Sequence, residues 1–299
     1  LGMRLGFADA GTEASSTTSR QAYDLLAKGF GPGFNGPLVV VARHGELPDL
    51  AQTPGVAKVV TQGPSTALVY PASAPQDEAT QDLVNRLRGL GPFLVGGATA
   101  AADDFASAVS DRLPLFILVV VGLSALLLMV VFRSILVPLK AAVLNLLSIG
   151  ASMGVVTLVF GDGWFGVQPG PIEAFVPVLI FAIVFGLSMD YEVFLVSRMH
   201  EEWRRTGDAR LAVREGMAST GGVITAAAAI MIVVFGAFLL SSDRMLQQFG
   251  LGLAVAVLLD ALVIRCLIVP AVMKLFGAAA WWLPRRLDRR LPKLALEHA

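Results

Sequence analysis

The chain has 299 residues, 55% of them hydrophobic and 15% charged, with 23 basic against 23 acidic side chains, so a strongly basic nucleic-acid binder and an acidic tail are excluded. Ordinary soluble domains carry about 25% charge; the deficit here, with a mean hydropathy of +0.70, points to long segments outside water and hence to a membrane. The lone cysteine, Cys266, rules out an internal disulfide, and His44, His200 and His298 are too scattered for a metal cluster, so no metal and no cofactor is expected.

The chain opens on Leu1 with no basic n-region, so no signal peptide is expected here and the chain is expected to continue a longer polypeptide. Through residue 112, short apolar runs alternate with Gly, Pro and Asp. Residues 16–29, STTSRQAYDLLAKG, begin with hydroxyl residues suited to capping and set Ala22, Leu25, Leu26 and Phe30 at helical spacing. PLVVVAR (37–43) reads as a strand, 48–54 as a short helix, and VAKVVTQ (56–62) and TALVYPA (66–72) as a hairpin about Gly-Pro-Ser. Residues 76–89 return to helix with Leu83, Val84 and Leu87 as an apolar stripe, and PFLVGG (92–97) to strand. This order is half of a split βαβ domain with added elements, an external α+β domain over 1–112 whose last helix, 99–112, feeds the membrane part.

A helix needs roughly 20 apolar residues to cross a bilayer. Five stretches qualify: 113–132, 137–160, 174–197, 218–240 and 246–273. The fold class is therefore membrane α-helical, five spans over 113–277 with the external domain before them and a tail over 278–299 behind. Pro138 and Pro177 open the second and third spans, where a missing N–H costs nothing. Lys and Arg collect in alternate connections: Arg133 and Lys140 after the first span, five arginines in 198–217, and Arg285, Arg286, Arg289, Arg290 and Lys293 after the last. Retention of positive charge makes those segments cytoplasmic. The 161–173 connection, GDGWFGVQPGPIE, has no cation, 241–245 has only Arg244, and both are expected outside together with 1–112. Trp281 and Trp282 suit an aromatic belt at the cytoplasmic headgroups.

Ionisable groups in hydrocarbon cost at least about 2.5–3.5 kcal/mol each. Asp190 and Glu192 lie in the third span, Asp260 and Arg265 in the fifth, and Asn145 in the second. Asp190 is expected about 20 Å down its helix and Asp260 about 21 Å down its own, so the two acids share a depth. For Asp190 a structural acid bonded to neighbouring helices competes with a carboxyl group that loads and releases a proton. Tyr191 points about 100° away, and Gly186 and Ser197 leave a small, polar face that another helix can approach. Asp260 and Arg265, five residues apart, are off ideal helical pairing but within side-chain reach. Glu192 is either a second relay group or a partner of Arg198, and Ser219, Thr220 and Thr225 in STGGVIT (219–225), with its paired glycines, read as a tight helix-packing surface.

The runs VPVLIFAIVFGLSMDYEVFLVSRMHEEW, STGGVITAAAAIMIVVFGAF and FGLGLAVAVLLDALVIRCLIVPAVM resemble the last helices of the mycobacterial membrane protein large (MMPL) transporters, of the resistance-nodulation-division superfamily. The similarity reaches the GFGPGFNGPLVVV opening of the external domain. The resemblance implies the C-terminal half of a two-half, proton-driven exporter of lipids or other hydrophobic molecules in the plasma membrane, without its first helix, and an external domain of porter type. It also implies a proton relay in which Asp190 and Tyr191 pair with a matching Asp-Tyr from an N-terminal half, with Glu192, Asp260 and Arg265 secondary or structural. No second copy of the motif occurs in the 299 residues. An intramembrane aspartyl protease would use two acids at one depth, but Met189-Asp190-Tyr191 and Leu259-Asp260-Ala261 lack the YD and GxGD patterns, so no enzyme is expected. A sterol-sensing-like or scaffold protein of the same superfamily is the other alternative; it would tolerate Asp190→Asn.

Overall fold

The computed structural model describes residues 2–284 and Leu287. The basic cluster from Arg285 to Lys293 and most of the 278–299 tail lie outside the described residues. The chain divides into two compact units.

The first unit takes in residues up to 111 together with 157–175 and 243–245, and so is larger than the 1–112 segment expected. Helix α1 (Thr18–Phe30) starts where the Thr17 hydroxyl accepts the Arg20 N–H, the capping that the hydroxyl run predicts. Strands β2 (Leu38–Ala42), β3 (Val56–Gly63), β4 (Thr66–Pro71) and β5 (Phe93–Gly96) form one sheet in the order β3-β4-β2-β5. Every neighbouring pair is antiparallel. Helix α2 (Glu78–Gly89) joins β4 to β5, two strands on either side of β2. Residues alternate between buried and half-buried along β2 and β4, as a sheet with one covered face requires. Leu38, Val40 and Val69 on that face meet Leu83, Val84 and Leu87 of α2, all of them fully buried; each such side chain contributes about 1.5–3 kcal/mol. The sequence pattern gives no sign of one pairing: β1 (Leu5–Gly6) runs parallel to β6 (Ile172–Glu173), tied by N–H bonds from Ile172 to the Arg4 carbonyl and from Ala174 to the Gly6 carbonyl, each 2.9 Å.

The second unit is helical. Five helices are long and apolar enough to cross a membrane: Ala98–Phe132, Leu136–Gly161, Val176–Thr206, Ala209–Leu240 and Arg244–Trp281. We call them α3 (Ala98–Phe132), α4 (Leu136–Val156, continued by a π-helical turn to Gly161), α5 (Val176–Thr206) and α6 (Ala209–Ala237). The last consists of α7 (Arg244–Leu258), a π-helical segment Leu259–Ile268, and α8 (Val269–Phe276). Helix α3 is continuous through Pro114, so the expected 99–112 helix and the first span are parts of one helix.

Close packing of α5 on α6 depends on Gly216: a Cβ there would lie 2.6 Å from the Met199 Cγ and 3.3 Å from its backbone. Thr220, buried one turn on, turns its hydroxyl back to the Gly216 carbonyl at 2.7 Å, which satisfies it without a partner helix. Gly252 has the same role between α7 and the α4–α5 pair, with Ile180 Cδ1 occupying the space a Cβ would need and the Ser152 hydroxyl donating to its carbonyl. At the other end of the bundle His200 lies between the rings of Phe132 and Trp281, with centroids 6.1 and 4.7 Å away. Trp281 is thus packed, while Trp282 is exposed.

Candidate functional site: a charge cluster in the helical unit

Helix α5 carries Ser188, Asp190, Tyr191 and Glu192 within five positions, and at 100° per residue they leave the helix in three directions. Ser188 and Glu192, one turn apart, point inward toward α4 and the π-helical segment, and both are buried. The Glu192 carboxylate receives the Lys140 ammonium at 2.7 Å, and Arg265 Nη1 stands 3.6 Å from its other oxygen. Arg265, 1% exposed, gives Nε to Asp260 at 2.8 Å and Nη2 to the Ser188 hydroxyl at 2.8 Å and to the Ser188 carbonyl. Ser188 Oγ lies 2.9 Å from the second Asp260 oxygen and 2.6 Å from Asn145 Oδ1. Two cations and two carboxylates therefore close a neutral cluster among α4, α5 and the π-helical segment.

The winding of that segment explains how Asp260 and Arg265 meet. In an α-helix residues five apart diverge by well over 100°, but a π-helix bonds i to i+5, which brings such a pair onto one face. The segment Leu259–Ile268 is π-helical and contains both residues. Glu192 takes Lys140 as its partner, while Arg198 pairs with Glu201 at 3.0 Å, so the Glu192–Arg198 pair offered as one alternative does not form. Lys140, which the charge pattern places among loop cations, is 6% exposed inside α4.

Asp190 lies elsewhere. Two residues beyond Ser188 it has turned about 200°, and its side chain is exposed, with no hydrogen bond or ion pair among the described residues. Its stripe along α5 is Leu179, Ile183, Gly186 and Phe194, each exposed, and Gly186 has nothing within 4 Å of a would-be Cβ. The structure thus does not bring Asp190 and Asp260 together as a carboxyl dyad, whatever depth they share. Tyr191 takes the third direction: its ring lies 5.4 Å below the Arg265 guanidinium carbon and its hydroxyl 4.0 Å from Met231 Sδ of α6. Cations over aromatic faces are attracted at this range, so Tyr191 is the one residue of the Asp-Tyr pair in touch with the buried cluster.

Sequence reasoning missed Lys140 and Ser188. A signal existed on α4, where Asn145, Ser148 and Ser152 repeat at three and four residues and all turn out buried; Ser148 and Ser152 donate to carbonyls of Ala256 and Gly252. No group of three or more His, Cys, Asp or Glu side chains that could hold a metal occurs among the described residues.

Five long apolar helices with an ionic cluster among them define a multi-pass membrane protein. Residues 71–294 match the MMPL family, and the chain belongs to it. Membrane protein YdfJ of Bacillus subtilis is 39% identical over 99% of this chain and 45% of its own length. The trehalose monomycolate exporter MmpL3 of Mycolicibacterium smegmatis is 39% identical over 79% of this chain and 24% of its own. The heme uptake protein MmpL11 of Mycobacterium tuberculosis is 34% identical over 94% and 33% respectively. The chain thus spans less than half the length of these relatives.

Proposed function

We propose that this chain is the C-terminal half of a proton-motive-force-driven exporter of lipids or other hydrophobic molecules, with Asp190 as its proton-carrying group. The single observation that carries the reading is the position of Asp190. Among the described residues it is an acid without a partner, on an exposed, otherwise apolar stripe of a membrane-length helix, while Lys140, Glu192, Asp260 and Arg265 are all paired. An isolated carboxylate facing lipid is costly, so the stripe is a contact face for further protein, and the carboxyl group there is the one free to exchange a proton. A matching Asp-Tyr from an N-terminal half supplies the other side, and Tyr191 is placed to link that site to the buried cluster.

The relatives' names support the transport class and differ in cargo, trehalose monomycolate in one and heme in another, so the class of cargo is large, amphiphilic or apolar. Placement of α2 between two strands that flank β2 supports a split βαβ, porter-like reading of the first unit. The distribution of cations supports that unit and the 161–173 connection on the outside and the 198–217 connection inside a plasma membrane. No catalytic role is assigned.

The test uses the full-length protein in vesicles with an imposed pH gradient. Asp190→Asn keeps shape and removes the titratable group, and proton-driven export is expected to fall at least about 100-fold, roughly 2.7 kcal/mol at 1.36 kcal/mol per decade, at unchanged protein level. Tyr191→Phe is expected to reduce it less. Export by the Asn variant at the parent rate, still responsive to the gradient, would leave Asp190 a structural acid and favour the scaffold alternative.

A further inference from the structure

Arg265 stands between two carboxylates and is not shared evenly. Nε and Nη2 are taken by Asp260 and Ser188, whereas Nη1 makes no hydrogen bond among the described residues and only approaches Glu192 at 3.6 Å. Glu192 therefore depends on Lys140, at 2.7 Å and with both side chains 4% exposed. Among the described residues Lys140 and Arg265 are the cations that pair with Glu192. Helix α6 from Gly216 to Ala237 and α7 from Met245 to Leu258 carry no charged residue, Lys274 of α8 is exposed, and Asp190 is on the far side of α5. Lysine loses about as much rotamer freedom on burial as any side chain, so a lysine held in this spot is doing a task that a smaller apolar residue would not.

Resting on the relay reading above, we propose that Lys140 is a positioning residue of the relay: by holding Glu192 as a fixed carboxylate it keeps Arg265 committed to Asp260 and to the Tyr191 ring. Without Lys140 the cluster carries one net negative charge in a water-poor setting. Either Arg265 swings Nη1 onto Glu192, abandoning Asp260 and the face of Tyr191, or an acid of the cluster takes up a proton. Burial favours the second course, because an added proton restores neutrality with no rearrangement. Glu192, left with the weaker guanidinium contact, is the acid that takes it. A lysine thus limits proton exchange to Asp190, two residues away on the opposite face.

The experiment is pH-dependent infrared difference spectroscopy of the purified full-length protein, counting carboxyl groups that gain a proton on acidification. Lys140→Met is expected to add one such carboxyl per chain, Lys140→Arg none, and Lys140→Met with Glu192→Gln to return to the parent count. An unchanged count in Lys140→Met overturns the proposal. So does an added carboxyl that persists in the double variant, which would make it Asp260. The double variant leaves no unpaired charge, so its failure to accumulate would show that the pair serves folding alone and would likewise overturn it. A separate arm checks the underlying reading: Asp190→Asn is expected to lose one carboxyl, and if it loses none the relay assignment fails while the Lys140 comparison still reads out.

Discussion

The two sides of α5 face opposite problems. Inward, Ser188 and Glu192 meet a cluster in which nearly every donor and acceptor is used. Outward, Asp190 has apolar neighbours and no partner among the described residues. A buried ion pair contributes little net stability because desolvation consumes most of its Coulombic gain, yet breaking one costs several kcal/mol. The inner face is therefore a poor place to move protons and a good place to fix helices in register. The outer face is already uncompensated, so changing its charge disturbs nothing within this chain. Two acids in one helix, separated by two residues, are given different tasks by the side on which they emerge.

The largest expected difference between the faces follows directly. Arg265→Ala strands Asp260 and weakens the hold on Glu192, and should cost about 3–5 kcal/mol, read as a collapse in membrane abundance and a large drop in the thermal midpoint of the purified protein. Asp190→Asn keeps the shape of the side chain and breaks no ion pair of this chain, so it should lower that midpoint by clearly less than Arg265→Ala. Equal losses for both variants would erase the distinction between the faces, and normal abundance of Arg265→Ala with lost transport would move Arg265 into the relay.

A smaller effect sharpens the inner face. Ser188→Ala removes the hydroxyl that serves Asn145, Asp260 and Arg265 but leaves all four charges in place. Loss of a buried hydrogen-bonding group costs about 1–3 kcal/mol, so the thermal midpoint should fall less than for Arg265→Ala. A fall as large as that of Arg265→Ala would mean the hydroxyl, rather than the ion pairs, organises the cluster.

What the sequence makes legible here is what has a period or an energetic penalty. The five spans stand out because uninterrupted apolar length has no other cheap explanation, and Asp190 stands out because an acid in such a run is expensive. Their ends are less legible: α5 continues to Thr206 through Arg198, Glu201 and Glu202, since helix winding does not stop where hydrocarbon does. Lys140 escapes notice because it sits two residues past Pro138 at a span's edge, where cation counting assigns it to a loop; only its pairing with Glu192, 52 residues on, reveals it. Pairing of Asp260 with Arg265 depends on a local change from α to π winding, which residue spacing does not announce. In the first unit the β2–β5 order follows from alternation and turn residues, whereas β1 and β6 are two residues each and have no period to read.

The smallest predicted effect lies in the first unit, at a buried acid whose carboxyl burial holds above its ordinary value. Glu173, at the end of β6, is 6% exposed and accepts the Ala8 N–H at 2.9 Å. Burial pushes its carboxyl above the ordinary value, outweighing that hydrogen bond and the charge of Arg244, and burial pushes Asp9 in the same direction. A carboxyl whose value is raised on folding binds its proton more tightly folded than unfolded. Its contribution to stability is therefore complete below the ordinary carboxylate value and is lost as pH rises through the raised one. The β1–β6 pairing should accordingly strengthen on acidification from neutral pH, the reverse of a salt-bridged acid. Glu173→Gln keeps an acceptor for Ala8 and abolishes the charge, so protection of the Ile172 and Ala174 amides, bonded to Arg4 and Gly6, should lose most of its pH dependence. The gain at neutral pH should stay within about 1 kcal/mol, the size of a typical net hydrogen-bond contribution. Hydrogen exchange on the full-length protein, corrected for the intrinsic effect of pH on exchange, measures both. Weaker protection in the Gln variant at neutral pH would mean that the ionised carboxylate supports this pairing and that the cost of burying it is recovered through Ala8 and Arg244.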